Sequence, residues 1–205
     1  MFYNAKSCQM MIGSNTVNYI EFGSGKKTLI ILPGLGDGLF PLHGKIQAIA
    51  FAFRYKQFAK DYKVYMFSRK NQITEKYSTR DMAKKQNYNG LMIDTANKSY
   101  SERYLKKYRL FIPLLGKVGK PKDFKRFIIQ ATSCIEHNAF SELNKITCPT
   151  LIIGGANDKI VGNKASFYLA EKIKRSEIFI YEGLGHATYE EAQDFNERVL
   201  EFLNK

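Results

Sequence analysis

Thr150-Leu151-Ile152-Ile153-Gly154-Gly155-Ala156-Asn157-Asp158 is the stretch that decides the fold. A short apolar run stops at two glycines and then at a carboxylate, which reads as a buried strand delivering an acid at its end. Further on, the strand-like run Glu177 to Tyr181 leads into Gly183-Leu184-Gly185-His186, so a histidine also follows a strand. A third apolar run, Leu29-Ile30-Ile31-Leu32, empties into Pro33-Gly34-Leu35-Gly36-Asp37-Gly38. A turn so rich in glycine can aim backbone N–H groups at a negatively charged oxygen. Chemistry-bearing residues at strand ends are the pattern of an open α/β sheet, whose sites gather at the ends of its strands.

The rest of the chain supports that class. Residues 5–27 read as a hairpin, with alternation over Val17-Asn18-Tyr19-Ile20-Glu21-Phe22 and a turn at Gly23-Ser24-Gly25. Ile46, Ile49, Ala50 and Phe53 share one helical stripe, Lys63 to Ser68 forms the next strand, and Ser78-Thr79-Arg80-Asp81 resembles a helix start. Residues 91–145 hold no convincing strand. Leu105, Tyr108 and Ile112 share one helical face there, and Phe124, Phe127, Ile128, Ala131 and Ile135 share another. Asn163 to Lys174 reads as helix. Thr188-Tyr189-Glu190-Glu191 has the spacing of a capping box opening a last helix that buries Ala192, Phe195, Val199, Phe202 and Leu203. Alternating strands and helices imply a mostly parallel sheet of about six strands covered by helices.

At 205 residues and 44% apolar composition the chain suits one globular domain. No apolar run approaches a membrane span and the first fifteen residues lack the apolar core of a secretion signal, so the expected location is cytoplasmic. Cys8, Cys134 and Cys148 are odd in number and lack C-x-x-C spacing, which favours reduced thiols over disulfides or zinc. No metal and no cofactor is expected. The net charge is +13, and Lys98 to Arg126 carries ten basic residues against two acids. Such a run is either a solvated helical face or an attractor for an anionic ligand. No nucleic-acid-binding motif accompanies it, and no nucleic-acid partner is expected.

Leu32-Pro33-Gly34-Leu35-Gly36-Asp37-Gly38, then Cys148-Pro149-Thr150 through Gly155 to Asp158-Lys159-Ile160-Val161, and Gly185-His186 before a terminal helix, resemble the α/β-hydrolase superfamily, closest to cap-bearing esterase- and lactonase-like members. The resemblance divides the domain into 1–86 as the N-terminal part of the core, 87–145 as a helical cap and 146–205 as the C-terminal part. It implies that Asp158 is the triad acid, His186 the general base, and Leu35 with flanking Gly34 and Gly36 half of an oxyanion hole. The implied chemistry is Ser-His-Asp hydrolysis of small-molecule carboxylic esters or related acyl bonds.

One part is missing. No G-x-S-x-G occurs anywhere, and Gln86 abuts Asn87 where the resemblance requires a central strand, a nucleophile elbow with its helix, and the next strand, about fifty residues at ordinary lengths. The expected chain therefore has no nucleophile and no turnover. Other hydroxyls fit poorly: Ser24 lies between two strands, while Ser68 leads into a polar loop rather than a helix. His43 and His137 lack any comparable frame. The alternative is a non-catalytic module that binds an acidic or apolar small molecule. Without its central strand the sheet must pair the Leu29 strand with the Thr150 strand or leave two edges exposed, and exposed edges invite aggregation or a homo-oligomer.

Overall fold

The computed structural model describes residues 3–32, 34, 41–68, 88–108, 110–112 and 124–205. The candidate helix start at Ser78, the Gln86-Asn87 junction, and Pro33, Leu35 and Gly36 lie outside these residues. Two compact units divide the chain, residues 1–86 with 121–136 and residues 87–120 with 137–205. The segment read as one helical cap is thus shared between the two units.

In the first unit, β1 (Lys6–Ile12) and β2 (Asn15–Phe22) form the expected antiparallel hairpin. Strand β3 (Lys27–Ile31) runs parallel to β4 (Tyr62–Phe67), and the sheet order is β1-β2-β4-β3. Alternation explains the core. Tyr62, Val64 and Met66 of β4 are buried while the residues between them are half-exposed, and the antiparallel register sets Ile20 opposite Met66 and Phe22 opposite Val64. The Gly23-Ser24-Gly25 turn is a close approach of backbones. A Cβ at Gly25 would stand 1.9 Å from the Asp61 carbonyl carbon, and one at Gly23 2.4 Å from the Tyr62 oxygen.

Helix α1 (Lys45–Arg54) packs on β1 and β2, but not by the stripe the periodicity suggested. Ala48 and Ala52 are its fully buried residues, whereas Ile46 is 87% exposed and Phe53 also faces out. Two alanines let the helix axis sit close to the sheet, and proximity wins over the larger apolar face. Helix α4 (Lys125–Glu136), counted after α2 (Tyr88–Ser99) and α3 (Glu102–Tyr108) of the second unit, is likewise turned. It buries Ile128, Ile129, Gln130 and Thr132 and leaves Ile135 exposed.

The second unit holds a parallel pair, β5 (Thr150–Gly155) and β6 (Ser176–Tyr181), with α5 (Ala165–Lys172) packed on both. The six described strands therefore form two sheets, of four and two strands, rather than one. Strand β3 pairs only with β4, and β5 only with β6, among the described residues.

The final helix also departs from expectation. It is split into α6 (Thr188–Glu191) and α7 (Phe195–Leu203), with Ala187 at the α6 cap position and no side-chain cap bond. The glutamate that would close a Thr188 capping box is committed elsewhere: Glu191 accepts from Ser101, and its neighbour Glu190 from the Tyr100 hydroxyl. No residue of α7 is fully buried, and Leu203 is exposed. This helix is held instead through Asp194, which accepts from Tyr181 Oη at 2.8 Å and Arg198 Nε at 2.7 Å, while the Arg198 guanidinium stacks 3.6 Å from the Phe179 ring centre.

Candidate active site

The two residues that carried the sequence reading meet. His186 Nδ1 lies 2.9 Å from Asp158 Oδ2, with the acid 9% and the imidazole 40% exposed. A carboxylate oxygen accepts, so the proton belongs on Nδ1 and the Nε2 lone pair is left available as a base. The other oxygen of Asp158 is occupied too. Oδ1 accepts from the backbone N–H of Ile160 at 2.7 Å and of Val161 at 3.0 Å. The loop after β5 wraps its own carboxylate, fixing its orientation by local geometry.

Backbone contacts bind the acid loop to the histidine loop. Ala156 N–H donates to the Tyr181 carbonyl and Asn157 N–H to the Leu184 carbonyl at 2.9 Å, extending the β5–β6 ladder past the strand ends. Gly155 permits this approach: a Cβ there would stand 2.1 Å from the Gly185 oxygen and 2.5 Å from the Leu184 oxygen. Gly185 is pressed from a second side, since its Cβ would meet the Ser99 oxygen at 2.5 Å. Ala187 N–H donates to that same Ser99 oxygen at 2.9 Å. The glycines around His186 are therefore places where backbones cross.

Gly34 is described and exposed. Its companions in the proposed oxyanion half-hole, Leu35 and Gly36, lie outside the described residues. Ser68 ends β4 as a buried residue of the first unit, with its N–H on the Asn18 carbonyl and its Oγ accepting from Arg126 at 3.3 Å. His43 donates from Nδ1 to the Pro41 carbonyl. His137 is exposed.

Sequence reasoning missed the frame around the pair. Ser99, Tyr100, Ser101, Gly155, Glu190 and Glu191 shape the histidine loop, but their partners lie about thirty residues away for Gly155 and about ninety for the rest, and no local spacing announces them. The one available signal was Tyr100-Ser101 at a helix start without a glutamate three residues later, where Tyr104 stands instead.

Among the described residues no helix is long and apolar enough to cross a membrane. Comparison with known proteins agrees with the fold. A 62-residue stretch is 45% identical to the 2-hydroxy-6-oxononadienedioate/2-hydroxy-6-oxononatrienedioate hydrolase of Klebsiella pneumoniae, covering 30% of this chain and 22% of that protein. The homologous hydrolase 2 of Pseudomonas putida is 41% identical over 64 residues. The chain thus matches about a fifth of the length of these curated relatives. Among solved structures, the α/β hydrolase MGS-M2 from a deep-sea metagenome library superposes with a TM-score of 0.77 at 16% identity, over 97% of this chain and 98% of that one. The enol-lactonase of Burkholderia xenovorans LB400 gives 0.77 at 12% identity, over 97% and 100%. These likenesses establish an α/β-hydrolase fold. The profile of the Serine hydrolase (FSH1) family covers residues 91–193, half of the sequence and all of the Asp158–His186 frame, and the chain belongs to that family.

Proposed function

We propose that this chain derives from a Ser-His-Asp hydrolase of carboxylic esters or related acyl bonds, keeps the acid–base pair, and lacks the hydroxyl that the pair would activate. The observation that carries the reading is the Asp158–His186 hydrogen bond in a sequence with no G-x-S-x-G. In this reading Asp158 orients the imidazole and stabilises its charged form, His186 Nε2 is the base, and the Gly34-Leu35-Gly36 turn supplies half of an oxyanion hole. The second donor belongs to the residue after the nucleophile, and it is lost with the Gln86-Asn87 junction. The proposed location is the cytoplasm, whose reducing conditions suit three free cysteines. Incubation with short-chain p-nitrophenyl esters tests the reading. Release at the buffer rate, unchanged by His186→Ala, is expected, and release that collapses in that variant would overturn it.

A second reading is favoured by the basic run and by relatives whose names specify dioate substrates: a binding module for a small dicarboxylate. Saturable calorimetric binding of adipate that weakens in the Lys106→Glu/Lys107→Glu double variant is its expected signature. Binding indifferent to those charges rules it out.

A further inference from the structure

We propose that Ser101 and Glu191, with Tyr100 and Glu190 beside them, are positioning residues that hold the His186 ring against Asp158, so that the start of the helical insertion sets the geometry of the base. The proposal rests on reading His186 as the base and adds what fixes it. Three successive residues, Ser99, Tyr100 and Ser101, grip three residues of the segment that follows the histidine. The Ser99 carbonyl accepts from Ala187 N–H at 2.9 Å, Tyr100 Oη donates to Glu190 Oε2 at 2.5 Å, and Glu191 accepts from both Ser101 N–H, at 2.9 Å, and Ser101 Oγ, at 2.5 Å.

The chemistry of the last contact is a capping box assembled across the sequence. Ser101 caps α3, its Oγ accepting from the N–H of Tyr104, while its own N–H needs the acceptor that a glutamate three residues on would give. Tyr104 occupies that place, and Glu191 of α6 does the work from outside. One carboxylate thereby ends α3 correctly and anchors α6. Helix α6 is a single turn whose Glu190 and Glu191 N–H groups both bond the Ala187 carbonyl, so an anchored α6 leaves Ala187, and the histidine before it, little freedom. Gly185 on the near side lies against the same Ser99 oxygen, which leaves no room for a side chain there. Burial first, and the Glu190 carboxylate second, push the Tyr100 phenol well above its ordinary value, which keeps it a donor. The imidazole thus has a side-chain partner in Asp158 and a backbone brace made by residues 99–101.

The test is nuclear magnetic resonance of the full chain labelled with nitrogen-15 at histidine and backbone, which needs no turnover. In the unaltered protein the His186 Nδ1 proton is expected as a protected, downfield resonance, and the Ala187 amide as slowly exchanging. Glu191→Ala should broaden the Nδ1 resonance into solvent exchange and speed Ala187 exchange roughly tenfold or more, the loss expected for hydrogen bonds to a charged acceptor. Glu191→Gln, which retains an acceptor for the Ser101 N–H, should restore most of both signals, and the exposed Glu197→Ala should change neither. Should Glu191→Ala fail to fold, Ser101→Ala gives the milder loss in the same direction. An Nδ1 resonance unchanged in folded Glu191→Ala or Ser101→Ala overturns the positioning role. A protected Nδ1 proton missing from the unaltered protein would instead sink the acid–base pair itself, which keeps the two failures apart.

Discussion

Gly155→Ala puts the account of the site frame at risk. The added methyl would sit 2.1 Å from the Gly185 oxygen, 2.5 Å from the Leu184 oxygen and 2.8 Å from the Leu184 carbonyl carbon. All three are backbone atoms, so no side chain can swing aside. Reaching ordinary contact requires the histidine loop to retreat by about 1 Å or more, since carbon and oxygen normally pack beyond 3 Å. Overpacking of this kind costs about 1–3 kcal/mol. The retreat also strains the Asn157-to-Leu184 hydrogen bond, worth about 1 kcal/mol net. The expected destabilisation is therefore about 2–4 kcal/mol. Urea unfolding followed by far-UV circular dichroism measures it, the chain having no tryptophan for fluorescence. The exposed Glu197→Ala is the control, a surface substitution whose effect should stay within about 0.5 kcal/mol. If Gly155→Ala costs no more than Glu197→Ala, the two loops are not zipped together as described.

The Tyr181–Asp194–Arg198 cluster predicts a pH dependence at both extremes. Burial, then the bond to Asp194, raises the Tyr181 phenol from 10.0 to about 12, so the stability it contributes is complete below pH 10 and is lost as the pH climbs towards 12. Screened by partial exposure, that contribution is about 1 kcal/mol, and the difference between the unaltered protein and Tyr181→Phe in urea titrations across this range isolates it. Asp194 has the opposite sign. Burial would raise it, but the bonds from Tyr181 and Arg198 outweigh burial and hold it below the ordinary carboxylate value, so its contribution is present at neutral pH and lost as pH falls through the lowered value. Arg198→Ala should make the acid limb shallower. On the first sheet, β3 pairs only with β4 among the described residues and its Ile30 is 60% exposed, and we expect concentration-dependent self-association by sedimentation velocity. Ile30→Lys should weaken it by roughly tenfold, placing a charge on the edge. A chain monomeric at every concentration refutes edge pairing.

What was legible in the sequence and what was not divide along a physical line. Strands with a two-residue period, such as the alternating run Val17 to Phe22 inside β2, were readable because burial alternates with the pleat. Asp158 and His186 were readable because strand ends followed by glycine turns fix where side chains emerge. Helix faces were not: α1 buries Ala48 and Ala52 because small residues allow close approach, a property of the surface beneath rather than of the helix. The Thr188 capping box failed for a related reason. Its glutamate spacing is right, but Ser101 and Tyr100 compete for the same carboxylates from far along the chain, and tertiary hydrogen bonds prevail over a local motif.

The central claim is that a correctly oriented imidazole is present without an oxygen to activate. The most direct measurement is the intact mass of the purified chain after exposure to excess fluorophosphonate, which captures an activated serine covalently. An unmodified mass, identical to that of His186→Ala treated in parallel, is expected. A single stoichiometric adduct on one serine, absent in His186→Ala, would contradict it.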